Sequence, residues 1–136
     1  MAKATTQDRI AASIRSLGSN VFIRAEFDRF GTYRQVSRAL SQLTKSGSLV
    51  KVGYGVYAKA RKSTLSDRPV PVIPLTSIGL EAMKKLGIKA DLGKEARALR
   101  EGKSTQVPMA PILTVGKSRV SRKIALGNRQ IIYEKD

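Results

Sequence analysis

The residues best spaced for chemistry lie in TYRQVSRALSQLTKSG, residues 32–47. Arg34, Arg38, Ser41 and Lys45 recur there at helical intervals. At 100° per residue they share one face, opposite the stripe of Val36, Leu40 and Leu43. A solvated helix face ordinarily mixes signs, because opposite charges at i, i+4 support each other and like charges repel. Here no Asp or Glu occurs from residue 29 to 66, a span with eight Lys and Arg. A polyanion laid along the face would relieve that repulsion. Arg34 and Arg38 carry the fork that reads guanine edges, and Gln35 and Gln42 on the flank have the amide that reads adenine. Thr32 and Tyr33, at the helix N-terminus, suit a phosphate, and Lys45 near the other end suits a second. The competing reading is a basic face that meets only solvent.

Further cations follow at once in SLVKVGYGVYAKARK, where Lys51, Tyr54, Lys59, Arg61 and Lys62 are candidates for contact with a nucleic-acid backbone. A second basic cluster, Lys117, Arg119, Arg122, Lys123 and Arg129, lies near the C-terminal end. Three readings of it stay open: a second phosphate-binding surface, a docking face for an acidic partner, or a solvated sheet face.

Composition removes several alternatives. The 136 residues include no Cys and no His. A disulfide framework, a thiolate metal site, a histidine-ligated zinc, a Ser-His-Asp hydrolase and a His-dependent nuclease are all excluded. Of the 10 acids, Glu26 and Asp28 sit two apart and do not share a helix face, so no paired-carboxylate site emerges. No catalysis, metal or cofactor is expected. No run of 18 apolar residues is present, and MAKATTQDRI lacks the apolar core of a signal peptide. A cytoplasmic protein with no membrane partner is the expectation. The net charge of +16 favours polyanionic partners. Residues 1–62 carry 12 Lys and Arg against 3 acids and residues 63–136 carry 14 against 7, so both halves are basic.

The elements that must position these residues follow from capping and periodicity. Thr5 and Asp8 have capping-box spacing, and Ile10, Ile14 and Leu17 continue as a core face that Gly18 should end. Val21–Ile23 reads as a short strand, and Arg24 to Phe30 as a brief helix closed by Gly31, with Phe22, Phe27 and Phe30 in the core. Thr32 and Gln35 form the capping box of the next helix, and Gly47 is its stop. Leu49 to Val52, Gly53-Tyr54-Gly55 and Val56 to Lys59 then read as a Gly-tipped hairpin in which Tyr57 is half-buried.

RPVPVIP, residues 68–74, has three prolines and reads as a linker. Residues 76–86 read as a helix with Ile78, Ala82, Met83 and Leu86 inward and Gly87 as its stop. Residues 91–101 read as another, capped by Asp91. Residues 112–115, 120–126 and 129–133 read as antiparallel strands with a turn at Gly127-Asn128.

This order predicts an α+β protein, an N-terminal winged helix-turn-helix followed by a small α+β subdomain with a C-terminal antiparallel sheet. The boundaries are 1–62 for the first, 63–74 for the Pro-rich linker and 75–136 for the second. Helix 32–47 would enter a major groove of double-stranded DNA and the hairpin would lie over the backbone or an adjacent minor groove. A structural RNA-binding protein and an adaptor for an acidic protein are the alternatives. The scarcity of exposed aromatics beyond Tyr33 and Tyr54 favours DNA over RNA.

FIRAEFDRFGTYRQVSRALSQLTKSGSLVKVGYGVYAK, residues 22–59, resembles the N-terminal winged helix of AbiEi-type antitoxins of type IV toxin–antitoxin systems, and a related group of short bacterial proteins. The likeness rests on the capped helix with ALSQL and on a G-x-L-x-x-V-x-x-G-x-Y hairpin, here Gly47, Leu49, Val52, Gly55 and Tyr57. STQVP (residues 104–108), LTVGKSR and IALGNRQI resemble later parts of that group. The resemblance implies a DNA-binding transcriptional autorepressor of its own operon, with a cognate toxin among its partners. A homodimer on DNA is compatible with it.

Overall fold

In the computed structural model the described residues are 5–62, 69–103, 111–117, 120 and 122–135. The protein is mixed α+β and divides into two compact units, Met1–Val72 and Ile73–Asp136. The break between them falls within the segment 63–74 that the sequence reading sets between the two domains.

The first unit opens with α1 (Thr6–Ser16). Its cap is the expected box: the Asp8 N–H donates to Thr5 Oγ1 (3.1 Å) and the Thr5 N–H donates to Asp8 Oδ2 (3.0 Å). The bond from the Thr5 N–H, with the Thr5 hydroxyl beside it, holds the Asp8 carboxyl below the ordinary aspartate range. A depressed folded-state pKa contributes stability above the unfolded value and loses it as the pH falls through the folded one. Asp8→Ala should therefore lower the thermal midpoint at neutral pH. The gap to wild type should narrow below about pH 4, as read by circular dichroism across pH 2–7. The helix ends at Ser16 with the extended Leu17 as its C-cap (φ −79°, ψ 142°), so Gly18 follows directly after the cap, as expected.

Strand β1 (Val21–Ile23) leads into a 3-10 segment, Arg24–Phe30, and then α2 (Tyr33–Lys45). The stripe of α2 is buried as its period requires: Val36, Leu40 and Leu43 join Ile10, Ile14, Phe22, Phe27, Leu49 and Tyr57 in one core. Tyr57 is more deeply buried than expected, at 8% exposure. Removal of such side chains from water, at about 1.5–3 kcal/mol each, fixes α2 on α1 and the 3-10 segment.

Strands β2 (Leu49–Gly53) and β3 (Val56–Lys62) form the hairpin, with Tyr54-Gly55 as its two-residue tip and Gly55 at φ +68°. Gly47 ends α2 at φ +86°, where other residues are strained. Both β1 and β2 pair antiparallel with β3.

The Pro-rich segment corrects the linker reading. Pro69–Pro71 is strand β4, antiparallel to the far end of β3, with Arg61 opposite Val70. Alternation explains why two prolines are tolerated. Val72 N–H donates to Lys59 O (3.0 Å), and by parity both proline nitrogens face away from β3, so the β3–β4 ladder loses no hydrogen bond to them. Residues 63–68 lie outside the described residues.

The second unit contains α3 (Leu75–Lys85), β5 (Asp91–Leu92), α4 (Lys94–Arg100), β6 (Ile112–Thr114), β7 (Ala125–Leu126), β8 (Arg129–Gln130) and β9 (Ile132–Glu134). Ile78, Ala82 and Met83 are buried as expected, whereas Leu86 is only half-buried, and Gly87 stops α3 at φ +77°. Asp91 does not cap α4. It belongs to β5, and Gly93 occupies the cap position. A Cβ there would lie 2.9 Å from Ile112 Cγ2 and 3.0 Å from the Ile112 carbonyl, so a larger residue would require Ile112 to shift.

The tail is also more mixed than expected. β7 and β8 are the antiparallel pair around Gly127-Asn128, but β7 is shorter than residues 120–126. The run 129–133 divides at the buried Ile131, whose N–H donates to Ile124 O (2.9 Å). β9 then pairs parallel with β6, while β5 pairs with it antiparallel. The β7–β8 hairpin supplies the crossover that a parallel pair needs.

Candidate nucleic-acid interface

The face of α2 is built from its ends inward. The Thr32 N–H donates to Gln35 Oε1 (2.9 Å) and the Gln35 N–H donates to Thr32 Oγ1 (3.2 Å). Gln35 is thereby tied to the cap, which weakens its case as a base reader. Past this cap, Arg34, Arg38, Ser41 and Lys45 are exposed along one line, with Gln42 exposed on the flank. Tyr33, 68% exposed, projects from the first turn on the other flank.

The hairpin places its candidates at two levels. Lys51 and Tyr54 sit near the tip, Tyr54 being 78% exposed. Together with α2 they border a cleft of about 490 Å³. Tyr33, Ser37, Ser41, Thr44 and Lys45 line it from the helix, and Lys51, Tyr54, Gly55 and Tyr57 from the hairpin. Lys59 and Arg61 lie down β3, Lys59 half-buried and Arg61 exposed on the β3–β4 ladder. Arg61 lies six residue steps along the strand from Gly55, about 20 Å at the usual rise, so it sits at the root of the hairpin. The Lys62 side chain is outside the described residues.

Arg24 is the residue that sequence reasoning missed. It closes the floor of the cleft and joins its two walls. Its backbone N–H donates to the Gly55 carbonyl at the hairpin tip (2.9 Å). Its Nη2 donates to the Tyr33 carbonyl (2.6 Å) and to Ser37 Oγ (2.7 Å), and its guanidinium lies 3.8 Å from the centre of the Tyr33 ring. The Nε is buried without a hydrogen-bond partner. One weak signal was present in the sequence: a cation in the first turn of a helical segment opposes the helix dipole. Beneath the cleft, burial pushes the Tyr57 hydroxyl above its ordinary pKa, against the opposing pull of Arg24.

In the second basic cluster Lys117, Lys123 and Arg129 are exposed and Arg122 is half-buried. The Tyr133 hydroxyl donates to the Arg122 carbonyl (2.7 Å), which gives that stretch a structural function. Arg119 lies outside the described residues. Among the described residues no group of three or more acids could hold a metal ion, and no helix is long and apolar enough to cross a membrane.

A family model matches residues 9–136. The chain belongs to DUF6088, a family of unknown function. The match runs through both units, so the α2–hairpin cleft lies within the family's own span. A search of the curated proteins finds no match to this DUF6088 chain.

Proposed function

We propose that this chain is a sequence-specific DNA-binding transcriptional regulator. Its first unit acts as a winged helix-turn-helix, with α2 the recognition helix and the β2–β3 hairpin the wing. One observation carries the reading. Arg34, Arg38 and Lys45 are exposed in line on α2 beside the cations of the hairpin, within a span that contains no acid. The exposed line suits a major groove, and Lys51 on β2 of the hairpin suits the flanking phosphates. The resemblance to AbiEi-type antitoxins supports repression of the chain's own operon, with a cognate toxin as the further partner. The absence of His, Cys and paired carboxylates supports a non-catalytic role.

The test is a fluorescence-anisotropy salt titration against duplex DNA from the protein's own upstream region, a scrambled duplex and a structured RNA. Binding to the upstream DNA should be tighter by ~10³-fold or more at physiological salt. Equal binding to all three, with a steep salt slope, would overturn sequence-specific regulation and favour a general polyanion surface.

A further inference from the structure

We propose that the cleft between α2 and the hairpin is a binding site for a single unpaired nucleotide, its base stacked on Tyr33 and Tyr54 and its phosphate held by Lys45 and Lys51. The inference rests on the DNA-binding reading and adds a ligand class that a duplex-reading helix does not require.

Tyr33 and Tyr54 are separated by 21 positions, yet they line one cleft. At 68% and 78% exposure they are the two most exposed large hydrophobic side chains among the described residues. Arg24 covers one face of the Tyr33 ring at 3.8 Å and ties the backbone of that residue, so the ring is fixed in place beside the cleft. The same Arg24 holds the hairpin tip through Gly55, which fixes the other wall. The result is a pre-organised slot rather than two independent tyrosines.

The remaining lining defines the occupant. Lys45 and Lys51 border the cleft from opposite walls, and among the described residues that line it none is acidic. Ser37, Ser41 and Thr44 add hydroxyls along the helix side. Two cations select an anion, the exposed rings select a planar ligand, and the hydroxyls suit a sugar or phosphate. A volume of about 490 Å³ lies within the range of sites for one small ligand and is far too small for a duplex. A paired base has both faces covered by its neighbours. Only a bulged, frayed or flipped base offers a face to a tyrosine. Such stacking is indifferent to base identity, so the cleft would respond to DNA distortion while α2 reads sequence.

The test uses the full chain and an upstream duplex of about 25 base pairs, either intact or carrying one extra unpaired 2-aminopurine at its centre. Anisotropy gives affinity at physiological salt, and 2-aminopurine fluorescence reports stacking. The bulged duplex should bind ~10-fold tighter or more, with a change in 2-aminopurine emission. Tyr33→Ala and Tyr54→Ala should each remove about 5- to 100-fold of affinity for the bulged duplex, while Tyr33→Phe and Tyr54→Phe retain it. Both positions are exposed, so the fold should survive all four changes. Displacement of the bulged duplex by millimolar AMP would support the site and add free nucleotides to its ligands.

Equal affinity for the two duplexes, with unchanged emission, overturns the nucleotide site. Specific binding of the intact duplex in that case leaves the regulator reading standing. If the bulged duplex alone binds, with no preference for upstream sequence, the regulator reading fails and the cleft survives.

Discussion

Phe27→Ala should cost the first unit about 3–5 kcal/mol, the usual range for emptying a buried aromatic position. Phe27 is fully buried, with the Phe22 ring centre at 5.8 Å and the Phe30 ring centre at 6.4 Å. It sits in the 3-10 segment, so its ring is the main anchor of that segment beneath α1 and α2. The segment in turn delivers Arg24 to the hairpin tip. A domain of this size has a total stability of only about 4–11 kcal/mol. The variant should therefore unfold at much lower urea, with a midpoint displaced by roughly one to several molar. Tyr33→Ala, at an exposed position, should stay within about 0.5 kcal/mol apart from any loss of its Arg24 contact. A Phe27→Ala protein with an unchanged urea midpoint would mean that the aromatic cluster does not organise this unit.

What the sequence reveals about this protein follows the range of the interactions involved. The two capping boxes were legible because both partners lie three residues apart, at Thr5 and Asp8 and at Thr32 and Gln35. The stripe of α2 was legible because burial there follows the helical period. The hairpin tip was legible from Gly53-Tyr54-Gly55, where backbone chemistry decides locally. Arg24 was not. Its partners lie 9, 13 and 31 residues away and are set by how the 3-10 segment packs. β4 was hidden because proline argues against a strand, whereas alternation places both missing N–H groups on the side away from β3. The parallel pairing of β6 and β9 and the approach of Gly93 to Ile112 are likewise tertiary facts without a local signature. The exposed line of candidate base readers was therefore foreseen, whereas the cleft beside it needed the fold.

Replacing both Arg34 and Arg38 by Ala should abolish preference for the upstream DNA while leaving the fold as stable as before, or slightly more so. The two arginines are exposed and one turn apart, with no acid on α2 to balance them. Removing a like-charge i, i+4 pair recovers a few tenths of a kcal/mol, and Ala is the strongest helix former. Destabilisation therefore cannot explain a binding loss at these positions. If each arginine reads a guanine, at about 1–3 kcal/mol of discrimination, the double variant should lose roughly 30-fold to 10⁴-fold of specificity. The salt dependence separates base contact from backbone contact. Loss of base readers leaves the slope nearly unchanged, whereas loss of one phosphate contact, as expected for Lys51→Ala, lowers it by about 0.9. Anisotropy titrations on upstream and scrambled duplexes across salt give both quantities. An unchanged preference in the double variant would remove α2 as the reader. An equal loss on both duplexes with a shallower slope would instead place these arginines on the backbone, and specificity would then have to come from DNA shape and the cleft beside the hairpin.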